Sequence, residues 1–150
     1  ALHQAEAPYT LVTTTNATLH TDGTLQASFA SLADGSYYIV VKGSNMVQTW
    51  SATPQTLGII PFNYDFTSAA SKAYGNNMKE LSTGVWAFYS GDINQDESVD
   101  NLDTENLFLD IENSNYGQIN TDLNGDGSVD NLDTNSFFEN IENSIFSSHP

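Results

Sequence analysis

Asp92-Ile93-Asn94-Gln95-Asp96-Glu97-Ser98-Val99-Asp100-Asn101-Leu102-Asp103 returns thirty residues later as Asp122-Leu123-Asn124-Gly125-Asp126-Gly127-Ser128-Val129-Asp130-Asn131-Leu132-Asp133. Each copy puts oxygen-bearing side chains at loop positions 1, 3, 5, 9 and 12. That spacing wraps a short loop around one hard cation, and an all-oxygen ligand set selects Ca2+. In the first loop, residues 92–103, the expected ligands are the side chains of Asp92, Asn94, Asp96 and Asp103 and the backbone carbonyl of Ser98, with Asp100 acting through water. In the second, residues 122–133, they are Asp122, Asn124, Asp126 and Asp133, the Ser128 carbonyl and Asp130. Two Ca2+ ions are therefore expected. The bland alternative is a pair of Asn/Asp-rich turns with no ion. The tandem copy argues against it, and so does the repulsion among four carboxylates gathered without a cation.

The two loops differ in detail. Position 6 is Gly127 in the second and Glu97 in the first. A left-handed conformation there costs nothing for glycine and roughly 1 kcal/mol or more for glutamate, so the first site is expected to be the weaker or stiffer. Position 12 is aspartate in both, shorter than the glutamate of an EF-hand, so each loop must close more tightly.

Behind each loop the pattern turns helical. Leu102, Leu107, Phe108 and Ile111 fit one face of a short helix, and Leu132, Phe137, Phe138 and Ile141 repeat it. At an offset of thirty, residues 91–114 and 121–144 agree at 15 of 24 positions, and Tyr116 corresponds to Phe146. Neither half has an entering helix. Each leaves an apolar face for its twin to cover, which predicts a pseudo-twofold pair.

Charge follows the same division. Residues 1–90 hold five acids and three lysines, whereas residues 91–150 hold fourteen acids with no lysine or arginine. The whole chain has a formal net charge of -16 and no arginine, which excludes a nucleic-acid partner because nothing replaces the phosphate counterions. No apolar run reaches the length of a membrane span, so no membrane insertion is expected. There is no cysteine, hence no disulfide or thiolate site. The chain opens at Ala1 without methionine or a signal peptide, as expected of a processed or partial piece of a longer polypeptide.

Residues 1–90 read as strands. Ala1-Leu2-His3-Gln4 already has strand character. Thr18-Leu19-His20 leads into the turn Thr21-Asp22-Gly23, after which Leu25, Ala27 and Phe29 alternate with polar residues. Ala33-Asp34-Gly35 makes the next turn, and residues 36–42, β-branched and aromatic, form a central strand. Further strands are expected at 46–51, 58–62 and 84–90. The spacing predicts an antiparallel β-sandwich over residues 1–90, joined at Gly91 to the Ca2+ region of residues 91–150. The fold class is thus mostly β with a small α part.

Gly91-Asp92-x-Asn94-x-Asp96, repeated thirty residues on, resembles a type I dockerin, the duplicated Ca2+ module that plugs into cohesins. Upstream, Gly35-Ser36-Tyr37-Tyr38-Ile39-Val40-Val41-Lys42, Thr49-Trp50-Ser51, Tyr64-Asp65-Phe66-Thr67 and Ala73-Tyr74-Gly75-Asn76 resemble the C-terminal β-domain of secreted and cell-surface Bacteroidota proteins. In that family a dockerin-like repeat follows the β-domain. Residues 21–38 are also similar to transthyretin-like regulatory domains, so the sandwich is expected to be Ig-like or transthyretin-like. The resemblance implies an extracellular or cell-surface location. Dockerins that bind cohesins usually carry basic residues on their recognition helices, and residues 91–150 depart from that pattern. The pairs Asn101-Leu102 and Asn131-Leu132 are either a symmetric recognition surface or ordinary helix starts.

Catalytic readings are poor. His3, His20 and His149 are scattered, none beside a nucleophile, and the carboxylates are accounted for as ligands. Trp50, Trp86, Tyr37, Tyr38 and Tyr74 would suit a carbohydrate-stacking face, but aromatics on strands more often fill a core. The Asn16-Ala17-Thr18 sequon means little in a bacterial protein. The expected role is a non-catalytic Ca2+-binding structural or adhesive module whose partners are copies of itself or another surface protein. Two alternatives stand beside it: a dockerin that docks onto a cohesin, and a carbohydrate-associated appendage of a polysaccharide-degrading enzyme. A β-domain starting at Ala1 is further expected to lack a strand and offer an open edge to a neighbouring subunit.

Overall fold

Gly35-Ser36-Tyr37-Tyr38-Ile39-Val40-Val41 forms the spine of the β region. In the computed structural model, which describes residues 1–20 and 22–150, this stretch is β3, Gly35–Val41. Thr21, in the expected Thr21-Asp22-Gly23 turn, lies outside the described residues. The other strands are β1 (Leu2–Gln4), β2 (Leu11–Thr13), β4 (Thr49–Trp50), β5 (Gln55–Leu57), β6 (Lys79–Ser82) and β7 (Val85–Ala87). Two helices follow, α1 (Thr104–Glu112) and α2 (Thr134–Glu142). The fold is mostly antiparallel sheet with two short helices.

β3 organises a five-stranded sheet. On one side it pairs antiparallel with β1, Leu2 opposite Ile39, and β1 pairs in turn with β2. On the other side it takes β4 opposite Val40 and Val41, and β5 opposite residues 35–37. β6 and β7 make a separate hairpin. Side chains of a strand alternate between faces. Tyr38 and Val40 accordingly join Trp50 in one cluster, flanked by Tyr9 and Tyr74. Ile39 and Val41 pack on the other face against the cluster of Phe66, Ala73 and Met78, together with Trp86 and Phe88. The aromatics weighed as a carbohydrate face are therefore core or partly buried core.

Several expected strands shift. The alternation at 24–29 yields only a bridge between Leu19 and Leu25, and Leu25 is exposed. Alternation chooses a face, but without a neighbouring strand there is nothing to bury it against. The strand expected at 58–62 lies upstream, at β5. Gly58 turns the chain away beside the Asp34 carboxylate, where a Cβ would sit 2.6 Å from Oδ1, and Ile59 is left 93% exposed. Residues 46–51 are extended but use three partners in succession: Ser90, β3 and Ala73. The strand expected at 84–90 shortens to β7, and β6, which carries no alternation, was not expected.

Residues 45–47 reach across the expected boundary. Met46 bridges Ser90, the Val47 N–H donates to Tyr89 O at 2.9 Å, and the Gly91 N–H donates to Asn45 O at 2.7 Å. Val47 is fully buried in the cluster formed by Ile93, Val99, Leu107, Val129 and Phe137. The core of residues 91–150 thus includes a side chain from the β region. Lys79 adds an ion pair with Glu139 on α2 at 2.8 Å.

Candidate metal centres

Short local bonds to side-chain oxygens fold each loop, and the two loops share most of them. In the first, Asn94 Oδ1 accepts from Asp96 N–H at 2.9 Å and Asp96 Oδ1 accepts from Ser98 N–H at 3.1 Å. Asp92 Oδ2 accepts from Glu97 N–H at 3.2 Å. Asp103, fully buried, accepts from Ile93 and Asn94 through Oδ1 and from Asp100 through Oδ2. In the second loop, Asn124, Asp126, Asp122 and Asp133 repeat each bond, the last drawing in Leu123, Asn124 and Asp130. Asp100 and Asp130 each accept from the N–H two residues on, both at 2.7 Å. Positions 1 and 12 are buried in both loops, whereas Asn94, Asp96 and Ser98, like Asn124, Asp126 and Ser128, lie on the more open side.

The helices tie the loops into a ring. α1 carries Asp110, whose Oδ2 accepts from the Thr121 hydroxyl at 2.6 Å, just ahead of the second loop. At the equivalent position α2 carries Asn140, whose Nδ2 donates to Ser90 O at 2.8 Å, just ahead of the first. Val99 N–H donates to Ile145 O, and Val129 N–H donates to Asn115 O. Each loop is therefore held by the chain that leaves a helix. Leu107 and Phe137 fill the shared core, with Ile111 and Ile141 against it. Leu102, Leu132, Phe108 and Phe138, expected on the buried face, are instead exposed, because that face is narrower than the sequence pattern suggests.

In the first loop the carboxylates lie close enough for Asp92 to feel its neighbours. Burial raises the Asp92 carboxyl above its usual range, and the charges of Asp103 and Asp96 raise it further. Asp96 moves the other way, lowered first by the Ser98 hydroxyl and then by Asn94. Asp92 Oδ1 is buried with no hydrogen-bond partner. An orphaned, desolvated carboxylate oxygen facing like charges is what a hard cation would satisfy, so the donor set fits Ca2+. Among the described residues, no three acidic or histidine side chains form a ready metal cluster; most of the loop carboxylate oxygens are taken up by backbone N–H groups.

The loops part company where the sequence differs. Residues at positions 4 and 6 adopt positive φ in both: Gln95 at 64° and Glu97 at 77°, Gly125 at 77° and Gly127 at 88°. The strain expected at Glu97 is there, and Gln95 shares it. Its alignment with Gly125 was the available signal. Glu97 is also a contact point: Gln48 Nε2 donates to its Oε1 at 3.3 Å, and His149 Nε2 lies 3.9 Å from its Oε2. His149 packs near Trp50, with ring centroids 5.6 Å apart, and His3 lies 4.3 Å from the same ring. Nothing in the sequence marked Gln48, His149 or Val47 as neighbours of a loop.

Searches against protein-family models, curated proteins and solved structures find no match to this chain.

Proposed function

We propose that this chain is a non-catalytic, extracellular Ca2+-binding structural module. On this reading, a β-sandwich precedes a dockerin-like pair of loop-helix motifs, and the module belongs to a surface or matrix protein that associates with copies of itself. The observation that carries the reading is the set of backbone bonds to side-chain oxygens that the two loops share, together with the unpartnered Asp92 oxygen that a cation would satisfy. Fourteen acids in residues 91–150 and a small core shared with Val47 give that region little reason to fold without cations. An affinity of ~10⁻⁴–10⁻³ M suffices for an extracellular module. No described helix is long and apolar enough to cross a membrane. Native mass spectrometry and calorimetry with Ca2+ test the proposal. Two ions bound per chain is the expected result, and no Ca2+ uptake at millimolar concentration overturns it.

Docking onto a cohesin is a second reading, favoured by one observation. Phe108 and Phe138 lie exposed with ring centroids 6.3 Å apart, and Leu102 and Leu132 are 69% and 60% exposed. The two phenylalanines meet across the helices, and the two leucines are exposed just ahead of each helix start. Pull-down with a panel of cohesin modules separates the two readings.

A further inference from the structure

The sheet around β3 ends in two free edges, and they are complementary. Among the described residues β2 pairs only with β1, and β5 pairs only with β3. The edges lie on opposite sides of the sheet, in the order β2, β1, β3, β5. Each contact in that series is antiparallel, so strand direction alternates across all four. A second copy placed by simple translation, its β2 against the first copy's β5, continues the alternation without inversion.

Chemistry favours the same contact. Natural edges are usually guarded by charge, most often lysine. Here residues 7–19, which contain β2, and residues 43–64, which contain β5, hold no charged side chain in a chain of net charge -16. Neither strand edge carries a charge of its own, and the acid beside the β5 end is Asp34, against Gly58. Leu11 is 56% exposed on β2, with Val12 beside it, and just past β5 Ile59 and Ile60 are 93% and 78% exposed. Residues 14–18 and 59–62 make no backbone hydrogen bond of their own among the described residues, so both edges can lengthen on pairing. Each regular edge is only three residues long, so each contact is weak and association depends on concentration.

We infer that the β2 edge of one copy adds to the β5 edge and residues 58–60 of the next, building a head-to-tail series in which one sheet runs through successive subunits. Such a heterologous contact leaves a free edge at each end and grows into an open fibre rather than a closed dimer. This inference rests on the self-association reading above and names its surface.

The test uses the full chain with Ca2+, sedimented over a concentration series. Val12→Lys charges one edge and Thr56→Lys the other, both at exposed positions. Circular dichroism and Ca2+ stoichiometry serve as fold checks. The wild-type chain is expected to form a concentration-dependent ladder of species. Each lysine variant alone is expected to stay monomeric at a tenfold higher concentration. The two variants mixed in equal amounts are expected to give a dimer that goes no further, since one good edge of each remains. Polymers that persist in both variants overturn the edge assignment and leave self-association standing. A closed wild-type dimer overturns the head-to-tail geometry. A wild-type monomer at every concentration overturns both the inference and the self-association reading, while Ca2+ binding is scored separately.

Discussion

The two loops carry oxygen-bearing side chains at the same positions and close with most of the same hydrogen bonds, yet they reach that geometry at different cost. The second places glycine at both positive-φ positions, with open space where a Cβ would stand. The first places Gln95 and Glu97 there. Both turns accept the same backbone bond from outside, Ser147 N–H to Glu97 O at 2.7 Å and Gly117 N–H to Gly127 O at 2.8 Å, but only the first adds contacts to the β region: the Ser147 hydroxyl donates to Gln48 O, and Gln48 donates to the Glu97 carboxylate. The same held turn thus comes free with glycine in one loop and carries strain, with added side-chain contacts, in the other. The first loop's strain is the counterpart of its attachment to the β region.

Chelation tests what the loops share and should have the largest effect. Each ion is expected to contribute about 2.7 kcal/mol at a hundredfold excess over its Kd. EGTA should therefore strip the helical circular dichroism of α1 and α2. Because Val47 sits in the same core, the β region should also melt at a lower temperature. An unchanged spectrum and Tm after chelation would sink the calcium reading.

Paired substitutions at position 1 then separate the loops. Asp92→Asn and Asp122→Asn should each reduce the stoichiometry from two ions to one, which native mass spectrometry reads directly. Without Ca2+ they should differ. Asp92 has a raised pKa in the folded chain, so its ionised form costs stability. Apo stability should fall as pH rises from the ordinary carboxylate range to that raised value, then level off. Asp92→Asn should remove this dependence and raise the apo Tm. Asp122, whose Oδ1 accepts from Gly125 N–H at 2.9 Å, has less to gain. Equal apo shifts for the two variants would contradict the asymmetry.

Val47→Ala asks whether one core serves both loops. It should cost roughly 2 kcal/mol, from lost burial and the cavity left behind. Calorimetry should show both sites weakened together; weakening of one alone would mean that the loops do not share their support.

The smallest effect concerns backbone strain. Glu97→Gly should tighten the first site by on the order of 1 kcal/mol, about fivefold, and Gly127→Glu should weaken the second by a similar amount. The glycine variant gives up the Gln48 hydrogen bond and the approach of His149, but both are partly exposed and offset little of the gain. Weaker Ca2+ binding by Glu97→Gly would show that these side-chain interactions outweigh the strain.

What the sequence disclosed follows the reach of each signal. The loops were legible because their side chains bond to backbone within ten residues or so. The helix positions were legible for the same reason. β3 was legible because a run of aromatic and β-branched residues buried on both faces suits little else. The shift of the 58–62 strand to β5 was not legible, since pairing with Gly35–Tyr37 decides it and that partner lies twenty residues away. The bareness of Phe108 and Phe138 was hidden too, because periodicity orients a helix without saying how wide a face its neighbours cover. Val47 reads as an ordinary strand residue, and its destination is set by partners more than forty residues downstream.

The arm at residues 45–47 makes the peptide bond between Ser90 and Gly91 dispensable for holding the molecule together. A protease that nicked the chain there would release two pieces still joined by Val47 in the downstream core, by the Asn45 carbonyl on the Gly91 N–H and by the Asn140 amide on Ser90 O. The nicked protein should elute as one peak from a native sizing column and fall into two bands only in denaturant. Separately expressed halves should find each other in solution. The seam that looks like a linker in the sequence is therefore a plug and socket.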